Sequence, residues 1–227
     1  FSTETEDAHG QVVSTTPIVS PFLIQEIDEK MQNFIGEITQ IPPMYSAVKV
    51  NGKRLYEYAR AGEEVERPVR KAMIYDFRRI SEPVYNEGSK TQSWKFEVSC
   101  SKGTYVRTLS VDLGRALGVE AHMSLLTRVK SGPFQTEDCI TLQELNELAQ
   151  KDKAQEALKP VDLVFKDYPR MDLTQDEFIR FKNGAILLQS EFPQIVAPTA
   201  CFYEGHLVSI YGPHPIKKGL LKPIKMF

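Results

Sequence analysis

The sequence has little of what marks several common protein classes. It has three cysteines, no C-x-x-C pair and four histidines without metal-ligand spacing. Neither a disulfide framework nor a zinc site is therefore expected. The motifs G-x-x-x-x-G-K-[ST], G-x-G-x-x-G and G-x-S-x-G do not occur, which argues against the nucleotide-binding loops and the hydrolase elbow that they mark. No apolar run is long enough to span a bilayer, and the first ten residues lack the pattern of a signal peptide.

Excess charge is also lacking. The chain has 28 basic and 30 acidic residues, for a net charge of −2, so binding to nucleic acid through bulk charge is not expected. Basic residues are nevertheless grouped, at 49–54, 67–71, 128–130 and 217–225. These groups could form one RNA-binding face, although each group alone is more typical of a solvated surface. The composition and the reduced thiols favour a cytoplasmic globular protein.

The hydrophobic pattern predicts a chain of mixed secondary structure. Helical spacing is found after Pro21 and again over 106–117, and alternating apolar residues predict strands over 69–81 and 93–100. Thr141 and Thr174 each precede a Glu by three residues, which predicts two capped helices. The segment 82–93 is expected to be an exposed loop. A boundary near residue 165 would separate a small β-rich module.

The stretch SCSKGTYVRTLSVDLGRALG, residues 99–118, combines an aromatic residue and a cation where a strand gives way to a helix. Gly103 allows a ligand or backbone to approach closely. The ring of Tyr105 could stack on a nucleobase, and Arg107 could grip a carboxylate or a phosphate with two N–H groups. Taken alone, the segment is better explained by a tyrosine that fills a core gap and an arginine in a surface ion pair, because one short motif is weak evidence.

Four further segments appear in the same order as in one known family. Together with 99–118, they resemble the TruB family of tRNA pseudouridine-55 synthases over nearly the whole chain; they are STETEDAHGQVV (2–13), IPPMYSAVKVNGKRLYEYARAGEEVERPVR (41–70), GVEAHMSLLTRVKSGPF (118–134) and GLLKPIKMF (219–227). The resemblance implies an α+β fold, with a mainly antiparallel sheet, flanking helices and a PUA-like C-terminal domain. It implies a catalytic domain over 1–165, incomplete at its N-terminus, and an RNA-binding PUA-like domain over 166–227.

The resemblance also assigns roles to individual residues. Tyr105 matches the tyrosine that contacts the target uracil, and Arg107 matches the arginine that pairs with the catalytic aspartate. Leu126 matches the apolar residue that packs against the flipped base, Asp7 an acidic residue bordering the substrate cleft, and Lys49 a position where the family presents basic side chains to RNA.

One family motif is not found. The attacking aspartate belongs to a G-x-L-D-x-x-A-T-G motif, and neither this motif nor the K-R-Y segment with its base-stacking tyrosine occurs in the 227 residues. Asp112 lies in surroundings that match a different helix, so it is no substitute. We expect both motifs upstream of residue 1, and we expect this chain by itself to be inactive.

The implied activity is isomerisation of uridine to pseudouridine at position 55 in the T-loop of tRNA. In this family the aspartate attacks the uridine, and the detached base turns and rejoins the ribose through carbon. The resemblance implies no metal, no small-molecule cofactor and no membrane, and a monomer that binds the T-stem-loop. The alternative is a non-catalytic RNA-binding or RNA-folding protein that retains the cleft, and a cytosolic hydrolase is a remote third reading.

Overall fold

The computed structural model describes all 227 residues as two compact units, residues 1–127 and 128–227. The first unit contains nine strands and three helices. Their bounds are β1 Ser2–Thr3, β2 Val12–Ser14, α1 Ile24–Gln32, β3 Gly36–Gln40, β4 Lys49–Val50, β5 Lys53–Arg54, α2 Leu55–Ala61, β6 Arg70–Arg79, β7 Val84–Asn86, β8 Thr91–Ser93, β9 Phe96–Cys100 and α3 Val106–Ala116.

The main sheet of the first unit has three antiparallel strands in the order β3-β6-β9. Its apolar residues alternate along the strands, so one face is covered by α1 and α3. The buried core comprises residues from these helices and from β6, together with Leu117: Ile27, Met31, Ile74, Phe77, Leu109, Leu113 and Leu117. This packing fixes α3 against the sheet and thereby fixes the start of α3 beside the end of β3.

Short hairpins surround this sheet. Strands β4 and β5 pair across Asn51 and Gly52, both with positive φ as in tight hairpin turns, and α2 follows and ends at a left-handed Gly62. The segment 82–93 is expected to be an exposed loop; it is mostly exposed, but the loop assignment is wrong, because β7 and β8 form an antiparallel hairpin there. Its residues are mostly exposed, so the sequence lacks the apolar alternation that signals a half-buried strand.

The second unit contains seven strands, two helices and three short 3₁₀ segments. The strands and helices are β10 Lys130–Ser131, β11 Phe134–Gln135, α4 Leu142–Gln150, β12 Arg170–Asp172, α5 Gln175–Lys182, β13 Leu187–Leu188, β14 Thr199–Tyr203, β15 His206–Pro213 and β16 Leu220–Met226; the 3₁₀ segments are Thr136–Asp138, Ala154–Ala157 and Val161–Phe165. Five strands form one sheet in the order β12-β14-β15-β16-β13, in which only β12 and β14 are parallel. Both capping boxes are present, since Thr141 and Thr174 accept hydrogen bonds from Glu144 N and Glu177 N.

The mixed α+β class with mainly antiparallel sheets is confirmed. The functional division at residue 165 stays a prediction, and the five-stranded sheet begins shortly after it, at Arg170. None of the helices is long and apolar enough to cross a lipid bilayer.

Candidate functional site at the start of helix α3

The chain turns sharply between β9 and α3. Gly103 has φ of +84°, a left-handed conformation that suits glycine, and Thr104 Oγ1 donates to Ser101 O at 2.8 Å across the turn. Tyr105 is then the N-cap residue of α3, in an extended conformation. N-caps are usually Ser, Thr, Asp or Asn, whose side chains bond to the first free N–H groups of the helix. Tyr105 makes no such bond, so this position is occupied by a residue poorly suited to capping.

A glutamine holds the backbone of Tyr105 from the neighbouring strand. Gln40, the last residue of β3, is only 3% exposed. Its Oε1 accepts from Tyr105 N at 3.0 Å, and its Nε2 donates to Tyr105 O at 3.1 Å. The same carbonyl accepts from Leu109 N as the first helical bond of α3. The N–H and the C=O of Tyr105 are therefore both held by hydrogen bonds to Gln40.

Arg107 lies one helical position beyond the start of α3, off the buried apolar stripe. Its two terminal nitrogens donate to backbone carbonyls: Nη1 to Thr5 O and Nη2 to Tyr45 O, both at 2.9 Å. Arg107 forms no ion pair with any carboxylate of the chain, which excludes the surface ion pair as its explanation. Two of its five N–H groups are used, and three make no hydrogen bond within the chain.

The loop before β2 is held against α3 at a second point. Thr108 Oγ1 donates to Glu6 Oε2 at 2.6 Å, and Glu6 has a positive φ of 62°. On its other side the loop pairs with the segment after α3, through Ala8 N to Met123 O at 3.0 Å and Met123 N to Glu6 O at 3.1 Å. Residues 5–8 therefore lie between the start of α3 and the segment that leads to Leu126.

Asp7 lies in this loop, and its carboxylate faces His9. Asp7 Oδ1 accepts from His9 N at 3.1 Å and contacts His9 Nδ1 at 2.8 Å. These hydrogen bonds, and the more distant charge of Arg107, lower the pKa of Asp7 below its ordinary value. Asp7 is thus kept ionised near Arg107 without forming a direct pair with it.

Two other predicted site residues lie further from this centre. Leu126 is 51% exposed, three residues beyond Met123. Lys49 is exposed on the β4–β5 hairpin, opposite Arg54, and its ammonium makes no hydrogen bond or ion pair within the chain. The structure brings Tyr105, Arg107 and the Asp7 loop together, and it leaves Leu126 and Lys49 exposed and without a hydrogen bond to them.

Comparison with known proteins decides the family. The family model of the N-terminal domain of TruB pseudouridylate synthases matches residues 1–106, and that of the C-terminal domain of tRNA pseudouridylate synthase B matches residues 107–166. A tRNA pseudouridine synthase B of Halalkalibacterium halodurans is 49% identical over 228 residues, which covers all of this chain and 73% of the relative. The chain belongs to the TruB pseudouridylate synthase family. A second TruB relative, from Lacticaseibacillus paracasei, is 46% identical over 93% of this chain and 69% of its own length.

Solved structures show the same fold as this TruB chain. A chain of a Cbf5-Nop10-Gar1 complex superposes with a TM-score of 0.60 and 25% identity, over 87% of this chain and 57% of that one. A chain of an H/ACA RNP bound to a substrate RNA containing 2'-deoxyuridine gives a TM-score of 0.63 with 21% identity, over 92% and 62%. The TruB chain therefore spans less than two thirds of these solved chains.

Several residues that build the site in this TruB chain are missed by sequence reasoning. The acceptors of Arg107 are backbone carbonyls, which leave no signal in the side-chain pattern. Gln40 and Thr108 are polar residues at buried positions, and a polar residue at the end of a strand looks like ordinary surface until its burial is known. No group of three or more His, Cys, Asp or Glu side chains in the chain is placed to hold a metal ion.

Proposed function

We propose that this chain is the larger part of an enzyme that isomerises uridine 55 in the T-loop of tRNA to pseudouridine. The observation that carries the proposal is the anchored guanidinium of Arg107 beside Tyr105, at the start of α3, in a chain of the TruB family. An arginine held by two carbonyls has a fixed position. Arg107 can therefore bind a carboxylate with little further loss of side-chain conformational entropy.

The chemistry needs one ionised carboxylate and one extruded base. Arg107 favours the charged form of a carboxylate that approaches it, because an opposite charge within a few ångströms lowers its pKa. The remaining N–H groups of Arg107 allow a two-bond pair with that carboxylate. None of the 227 residues lies in the motif that carries the attacking aspartate of the family, so the activity is proposed for a chain that contains it.

Tyr105 supplies the surface for the base. Unstacking a nucleotide costs about a few kcal/mol, and contact with an aromatic ring in a pocket offsets part of this cost. The reaction then exchanges the C1′–N1 bond for a C1′–C5 bond, while the proton leaves C5 and N1 gains one. Atoms and electrons balance within the nucleotide. The expected partner is the T-stem-loop, bound by a monomer in the cytoplasm where tRNA is modified.

The test uses the fact that the C5 hydrogen leaves. The protein from the complete coding sequence is incubated with tRNA that carries tritium at C5 of its uridines. Release of one tritium per tRNA, abolished when uridine 55 is replaced by cytidine, is the expected result. Release that persists in the cytidine-55 tRNA would contradict the position. Stoichiometric tRNA binding without any release would instead favour the non-catalytic RNA-binding alternative.

A further inference from the structure

We infer that Gln40 is a positioning residue for the reaction, acting through Tyr105; this inference rests on the proposed function. Gln40 is among the most buried polar residues of the chain, and its side-chain amide bonds to no residue except Tyr105. It lies 65 positions from Tyr105 in sequence. A buried amide satisfied in this way by a single residue fixes the φ and ψ of that residue.

The fixed backbone of Tyr105 sets the direction in which its side chain leaves the Cα. The direction of the Cα–Cβ bond follows from the positions of the backbone N and C atoms, and Gln40 holds the N–H on one side and the C=O on the other. The helix itself holds only the carbonyl, through Leu109 N. Without Gln40, the N–H of the N-cap residue Tyr105 would lose its acceptor, and this end of α3 would be free to fray, as helix ends commonly do.

The same strand end also supports the arginine. The chain continues from Gln40 through Pro42 and Pro43, which restrict the backbone to extended conformations, and reaches the Tyr45 carbonyl that accepts from Arg107. A single segment, 40–45, therefore sets the positions of both site residues on α3. Gln40 is its only side chain that bonds to the Tyr105 backbone.

The chain contains a matched control for this arrangement. Gln92 on β8 makes the same pair of bonds to the backbone of Phe22, accepting from Phe22 N at 2.8 Å and donating to Phe22 O at 3.1 Å. Phe22 precedes α1 and takes no part in the proposed site. Gln40→Met and Gln92→Met each remove two hydrogen bonds of this kind, but only Gln40→Met removes bonds to a residue of the proposed site.

The experiment measures single-turnover tritium release by the protein from the complete coding sequence at saturating tRNA. Rates are expressed per tRNA-binding site, counted by stoichiometric titration, so that unfolded protein is not included. Gln40→Met should lower this rate by about 10- to 100-fold, as misplacing a catalytic group by about 1 Å does. Its tRNA Kd should change by less than about threefold, and Gln92→Met should leave the rate unchanged.

Gln40→Glu adds a signature that loss of folding does not produce. The protonated carboxyl has one donor and one acceptor, like the amide, whereas the carboxylate cannot donate to Tyr105 O. Burial raises the pKa of such a group, so the rate relative to wild type should recover as the pH falls from about 8 to about 6, while that of Gln40→Met stays flat.

Each outcome has a separate meaning. Wild-type protein without tritium release overturns the proposed function, and the positioning role with it. An active wild type, with Gln40→Met equal in rate to Gln92→Met per binding site, overturns only the inference. The same conclusion follows if Gln40→Glu shows no recovery at low pH. A loss in Gln40→Met that is not seen in Gln92→Met, together with pH-dependent recovery of Gln40→Glu, supports it.

Discussion

Replacing Arg107 by lysine keeps the positive charge and removes the planar guanidinium group with its several N–H donors. The guanidinium bonds two carbonyls, Thr5 O and Tyr45 O, from different nitrogens. A single ammonium on a shorter stem cannot reproduce both bonds together with a third to a carboxylate. At least one hydrogen bond from a charged donor is lost, which is worth about 1.5–3 kcal/mol.

Loss of a bond to either carbonyl should lower the stability, and loss of the bond to the attacking carboxylate should lower the rate. The free energy of unfolding of the first unit should fall by about 1–3 kcal/mol, measured in urea by the fluorescence of Trp94, the single tryptophan. If the lost bond is the one to the attacking carboxylate, single-turnover tritium release should fall by about 10- to 150-fold. The tRNA Kd should stay nearly unchanged.

Arg115→Lys is the control. Arg115 lies on the same helix, its side chain is 71% exposed, and it forms one bond to Asp112 at 3.1 Å. Exposed pairs of this kind contribute about 0–1 kcal/mol, so both the urea midpoint and the rate should stay close to wild type. Equal rates for wild type and Arg107→Lys would refute the pairing role, and an unchanged midpoint would refute the anchoring by the two carbonyls.

Three further predictions concern other contacts of the chain. Thr108→Val removes the 2.6 Å bond to Glu6 and should lower the free energy of unfolding by about 1–3 kcal/mol; an unchanged urea midpoint would show that the bond is not formed. The pKa of Asp7 is lowered by hydrogen bonds from His9, so its stabilisation is fully present above the unfolded pKa and is lost as the pH falls through the lower, folded pKa. The stability deficit of Asp7→Asn in urea titrations should therefore shrink between about pH 5 and about pH 3, and a deficit that grows on acidification would be inconsistent with this. Burial raises the pKa of the Cys201 thiol to about 11, so iodoacetamide near pH 8 should modify this thiol only after unfolding, and peptide mapping that finds it modified in native protein would contradict its burial.

Sequence reasoning locates the start of α3 well because the signals there are local. Gly103 marks a turn, and the apolar spacing of Leu109 and Leu113 marks a buried stripe, so Arg107 is expected on another face. The structure confirms the helix over Val106–Ala116. The capping boxes at Thr141 and Thr174 are likewise local patterns, and both are found.

The rest of the site depends on contacts between distant segments. Gln40 and Tyr105 are 65 positions apart, and Arg107 and Thr5 are 102 apart. The spacing of hydrophobic residues and the turn residues predict neither contact. Each contact is made to backbone atoms, which every residue possesses. Family resemblance supplies the roles of Tyr105 and Arg107 as predictions, and it does not show which atoms hold them in place.

The central claim is that the start of α3 faces the target base, and crosslinking tests it directly. A T-stem-loop with 4-thiouridine at position 55 is bound to the protein from the complete coding sequence and irradiated, and the tryptic peptides are mapped by mass spectrometry. Cleavage after Lys102 and Arg107 isolates Tyr105 in the peptide GTYVR. A crosslink in that peptide, lost when unlabelled T-stem-loop competes, is the predicted result. Efficient crosslinking confined to other peptides would contradict the account.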